Sequence, residues 1–143
     1  MSQQQSLEVV VFGDYLDPFT RAAVAAVEEA GGTVAFRHLP KRSGLAAALA
    51  AEAARELGGF EAMHEALLRH DGALDGAALR ALATQAGLDA ERFEGVFGAD
   101  AHMERLRVDV EAAGTMDPPA LFHAGERLPS YEPGWLRERL ARA

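Results

Sequence analysis

The sequence predicts an α/β fold in which a strand–helix–strand unit opens the chain, a long helical block follows, and a hairpin and a last helix close it. Three observations predict this. The run LEVVVF, residues 7–12, is continuously apolar and valine-rich, as a strand buried on both faces of a parallel sheet would be. From Leu45 to about Ala113 the pattern turns helical and stays so. The stretch MDPPALFHAGERLPSY then sets an apolar run and a second short run about Ala124-Gly125, which reads as a hairpin.

Taken in order, residues 7–12 form the first strand. Pro18 to Glu29 is a helix, with Val24 and Val27 spaced for one face and Gly31-Gly32 ending it. Asp17 followed by Pro18 is a strong helix start. The carboxylate can accept from free amide hydrogens, and proline costs nothing at the first helical position. Thr33 to His38 is a second strand, and the short joints imply a right-handed parallel βαβ unit. LAAALAAEAARELGG is a helix with a glycine stop. FEAMHEALLRH is the next, with Phe60, Met63, Leu67 and Leu68 inward. ALDGAALRALATQAG, DAERFEGVFG and AHMERLRVDVEAAG follow, each ending near a glycine or starting near an aspartate. Glu132 to Leu140 is the last helix, started by Pro133 and packed through Trp135, Leu136 and Leu140. No repeat, linker or low-complexity segment interrupts the pattern, so residues 1–143 read as a single domain.

The bulk chemistry excludes several functions. With a net charge of -8 and 14 basic residues scattered among 22 acids, the chain lacks the basic surface that nucleic acid needs. No run approaches the roughly 20 apolar residues that span a bilayer, so no membrane segment is expected. The start, MSQQQSLEVVV, shows neither a basic leader nor a small-residue cleavage site, and a cytoplasmic setting is expected. There is no cysteine. Disulfides, thiolate nucleophiles, cysteine-ligated zinc and iron–sulfur clusters are removed together.

The order of elements and several short blocks resemble the DsbA-like family of thioredoxin folds. Members of that family carry Cys-Pro-Phe-Cys at the opening of the first helix. Here GDYLDPFT stands at that place, with Asp17 and Thr20 in the two cysteine positions. FRHLP, FEAMHEALLRH, GLDAERFEGVF and DPPALFHAG are similar to further family blocks in the same order. The resemblance implies a thioredoxin-like α/β fold (βαβ…ββα) with an all-helical insertion at about 43–100. It also places the family's cis-proline on Pro119, preceded by Pro118, which has no N–H to pair with a substrate strand.

A carboxylate and a threonine cannot cycle between dithiol and disulfide. The resemblance therefore implies a redox-inactive member of an oxidoreductase family, binding a small molecule or a protein partner at the former active-site groove. Asp14, Asp17, Pro18, Phe19, Thr20, Pro118 and Pro119 are the expected groove residues. The alternative is a glutathione-dependent transferase or isomerase of kappa-class type. Relatives of that type use a serine hydroxyl at the helix start to hold the thiolate. Asp17 occupies the matching position and would repel a thiolate, which leaves Thr20, a turn further on, as the candidate catalytic hydroxyl. No metal is expected. Asp14 and Asp17 read as a strand end and a helix cap, and His38 and His123, even if their strands bring them close, have no third ligand. His64 and His70 fall on different faces of their helix.

Overall fold

A computed structural model of the chain describes residues 7–142. Residues 1–6, read above for a leader, lie outside the described residues. The elements are β1 (Glu8–Gly13), α1 (Pro18–Glu29), β2 (Thr33–His38), a short 3-10 turn (Arg42–Gly44), α2 (Leu45–Glu56), α3 (Phe60–Arg69), α4 (Gly76–Gln85), α5 (Ala90–Val96), α6 (Asp100–Ala113), β3 (Ala120–His123), β4 (Glu126–Arg127) and α7 (Pro133–Ala141). The strands form one sheet in the order β2-β1-β3-β4. β1 and β2 run parallel with Val11 beside Phe36, and β1 and β3 run antiparallel with Phe12 beside Ala120. No helix among the described residues is long and apolar enough to cross a membrane.

Alternation along β1 divides the core. Val9 and Val11 join Val24, Val27, Leu121, Leu136 and Leu140 on the face covered by α1 and α7. Phe12 points the other way, towards Leu39, Ala113 and Ala120. Each core side chain removed from water contributes about 1.5–3 kcal/mol before entropy is counted, so both faces hold the sheet. Between β2 and β3 the alanine-rich α2 is the hub of the helical block. Residues 47–54 of that helix are all buried, Glu52 among them. Small side chains let its neighbours approach closely, a packing role beyond the helix propensity that the sequence shows.

The outer edge of β2 would leave backbone groups bare. Asp109 on α6 covers it: one carboxylate oxygen accepts from the His38 backbone N–H at 2.9 Å, and the other accepts from Arg37 Nε at 2.8 Å. Asp109 is buried. Asp109→Ala should therefore lower stability by about 2–4 kcal/mol, since it strands a buried donor and breaks a charge pair. Urea denaturation checks this, and a loss within experimental error would show that the edge needs no cover.

Candidate functional site: the turn into the first helix and the cleft beside it

The turn from β1 into α1 is a closed hydrogen-bonded knot. Asp14 is 3% exposed. Its carboxylate accepts from Leu16 N at 2.9 Å and from Lys41 N, in the segment after β2, at 3.0 Å. Asp17 is the N-cap of α1 and accepts from Phe19 N at 3.2 Å and Thr20 N at 3.1 Å. The Thr20 hydroxyl donates to Asp17 at 2.9 Å and accepts from Asp14 N at 3.2 Å. Two glycines make room for this arrangement. A Cβ at Gly13 would meet the Thr20 methyl at 2.4 Å, and one at Gly44 would meet the Asp14 carboxylate at 2.1 Å.

The expected groove residues therefore separate. Asp14 and Thr20 are buried, Thr20 at 0% exposure, and their polar atoms are spent on the turn itself. Asp17 is half-buried in its capping role, and Pro18 is exposed. Phe19 stands out at 63% exposure. Pro118 and Pro119 are half-buried, and the bond between them is cis. Pro119 precedes Ala120, which pairs with Phe12, so it sits at the end of the sheet from which the turn departs.

An open cleft of about 760 Å³ runs along α1. Ala22, Ala25 and Ala26 form one wall, the segment from Arg127 to Pro133 forms the other, and Pro119 and Leu121 also line it. Of the expected groove residues only Pro119 lines it. The alanines carry no chemical signature, which is why the sequence did not point to them. The wall opposite carries Ser130 and Glu132, but Ser130 Oγ accepts from Glu132 N at 3.0 Å. The Glu132 carboxylate caps α7 through Gly134 N and Trp135 N, bonds that hold it below its ordinary range. No nucleophile is paired with a base among the described residues of this cleft.

A second cluster of polar groups lies between the sheet and the helical block. Glu52 accepts from His38 Nε2 at 2.8 Å and from Arg55 Nε at 3.1 Å. Burial pushes the Glu52 carboxyl up, but the hydrogen bond and charge of His38, with Arg55, outweigh it and leave it below its usual 4.5. His38 Nδ1 has no hydrogen-bond partner among the described residues. Tyr15 OH lies 2.7 Å from His64 Nδ1, and Phe60 stacks on the same imidazole. Burial pushes the Tyr15 phenol well above its ordinary range and lowers His64 to about 4, with the charges of His38 and Arg55 adding to the second shift. The signal for this cluster in the sequence was Glu52, a lone acid inside an alanine run. His38 and His123 do not meet: β1 lies between their strands, His38 pairs with Gly13 at one end, and His123 follows the Val10–Phe122 pair towards the other. No group of three metal-ligating side chains occurs among the described residues.

Comparison with known proteins defines the class. No family model matches the chain. A thioredoxin-like oxidoreductase from Silicibacter pomeroyi DSS-3 superposes with a TM-score of 0.81 at 26% identity, covering 94% of this chain and 84% of that one. The thiol-disulfide exchange protein alpha-DsbA2 from Wolbachia pipientis superposes with a TM-score of 0.82 at 18% identity, covering 99% and 83%. The chain has a thioredoxin-like fold of the DsbA-like kind, and its sequence contains no cysteine. It is also 32% identical over 137 residues to the Na(+)/H(+) antiporter NhaA 1 of Salinispora arenicola (strain CNS-205), a match covering 87% of this chain and 21% of the antiporter. The chain thus spans about a fifth of the length of that curated relative.

Proposed function

We propose that this protein is a redox-inactive binding module that takes an extended apolar segment of a protein partner into the cleft along α1. One contrast carries the reading. The four residues at the cysteine positions and between them are either built into the helix start or lack reactive groups, while the cleft beside them stays open. Tyr131 in the cleft wall supplies aromatic surface, and Phe19, outside the lining, stands exposed at the start of the helix that forms the other wall; aromatic surface of this kind anchors partner segments at low entropic cost. Pro118 offers no N–H, so side-chain contacts carry more of the binding than strand pairing does.

Thiol chemistry fails for lack of a thiol. Purified protein should show no turnover in a disulfide-reduction assay, whereas D17C/T20C should gain it because Pro18 still opens the helix and the helix N-terminus favours a thiolate at position 17. Turnover by the unmodified chain would overturn the reading. For the glutathione alternative, Thr20 would have to leave both of its bonds and its buried position. Millimolar glutathione is expected to leave the melting temperature unchanged. A rise abolished by Thr20→Val would favour the transferase instead.

The antiporter likeness supports a more specific partner. A segment similar to this chain forms part of a transporter there, and we infer an ion antiporter as the protein that this module engages. Co-elution of the chain with the Salinispora antiporter expressed without the matching segment is the expected result. Independent elution would remove that partner and leave the cleft reading intact.

A further inference from the structure

α1 separates two clefts, and the second has a different chemistry. It lies between α1 and α3, holds about 270 Å³, and is lined by the cations Arg21 and Arg69, by His64 and by the carboxylates Glu28, Glu61 and Glu65, with Val24, Ala25 and Leu68 as apolar wall. That volume is below the roughly 300–1,000 Å³ of sites for drug-sized ligands and suits a metabolite of amino-acid size.

His64 is only 7% exposed, yet it is left with something to offer. The Tyr15 phenol keeps its proton and donates to Nδ1, and the imidazole is neutral near pH 7. The ring proton is therefore on Nε2. That nitrogen has no partner among the described residues and, unlike His38 Nδ1, is not sealed inside the protein. Arg21, in the same lining, is tied in place by three bonds: Nε donates to Tyr15 O at 2.8 Å, Nη1 to His70 O at 2.7 Å and Nη2 to Leu67 O at 3.2 Å. These bonds leave two of the five guanidinium N–H groups over. A fixed cation and a buried N–H donor form an acceptor-seeking pair. Around them the three glutamates make no ion pair among the described residues and outnumber Arg69, the other cation of the lining, so the same cleft also seeks a cation.

We propose that this cleft binds a free α-amino acid with an apolar side chain, its carboxylate on His64 and Arg21 and its ammonium among Glu28, Glu61 and Glu65. The apolar wall of Val24 and Leu68 takes the side chain. Both charged ends are required, since a lone carboxylate meets the glutamates and a lone amine leaves the His64 and Arg21 donors unmatched.

The test is titration of ¹⁵N-labelled full chain with L-leucine, N-acetyl-leucine, leucinamide and glycine at neutral pH, followed by amide shifts. L-Leucine should shift α1 and α3 amides saturably, glycine should bind more weakly, and both blocked forms should bind roughly tenfold more weakly or not at all. E61Q/E65Q, at exposed positions that leave the core intact, should weaken leucine by a similar factor. Absence of a saturable shift with leucine, equal binding of leucinamide or N-acetyl-leucine, or unaltered binding by E61Q/E65Q would each overturn the proposal.

Discussion

Asp14→Ala is expected to lower the stability of the fold by about 2–4 kcal/mol, although no catalytic role is assigned to the residue. The carboxylate holds Leu16 N and, 27 residues along the chain from Asp14, Lys41 N, so its loss strands two donors in a buried turn. Asn keeps one acceptor and should cost about half as much. Gly44 sharpens the test. A Cβ there would press on the Asp14 carboxylate at 2.1 Å, so Gly44→Ala alone should destabilise. In an Asp14→Gly background the same change should cost little, because the atom it meets is gone. Urea denaturation of the four proteins reads the coupling directly, and strict additivity would show that the contact is relieved elsewhere.

Glu52→Gln is expected to cost about 3–5 kcal/mol, the range for breaking a buried charge pair, because His38 and Arg55 both converge on that carboxylate. The same cluster makes the protein acid-labile. Glu52, with a lowered folded pKa, contributes stability that is complete above its ordinary 4.5 and is lost as pH falls through the folded value. His64 acts earlier with the same sign. The unfolded ring takes a proton near 6.5 and the folded ring only near 4, so stability falls as pH drops between those values, by about 3 kcal/mol in all. Denaturation midpoints measured from pH 7 to pH 4 should fall. His64→Phe should flatten the slope between 6.5 and 4 even though it lowers stability at pH 7 by leaving the Tyr15 hydroxyl unpaired. An unchanged slope in that variant would assign the acid sensitivity to other groups.

Local chemistry made most of the fold legible. Asp17-Pro18 begins α1, paired glycines end it, and the helical boundaries fall at or within a few residues of the caps that the sequence displays. The hairpin turns at Ala124-Gly125, where both residues have positive φ. The site was less legible because its decisive contacts are long-range. Nothing local shows that the Thr20 methyl lies on Gly13 with its hydroxyl tied inward, or that Lys41 N reaches back to Asp14. Tyr15 and His64 meet across 49 residues. Alanines line the open cleft, and an alanine in a helix reads the same whether it faces a core, a neighbour or a ligand. His38 and His123 are kept apart by register, which the strand sequences alone do not fix.

Binding at the cleft is proposed to persist where thiol chemistry has gone. The most direct measurement is selection of peptides from a random library on the intact chain, followed by affinity measurements on Ala22→Arg, which fills the cleft from an exposed helix position without touching the core. The selected peptides should be rich in apolar residues, and their affinity should fall at least roughly tenfold in that variant, with a smaller loss for Phe19→Ala. Failure to select any peptide, or peptides that bind Ala22→Arg as well as the parent, would contradict it.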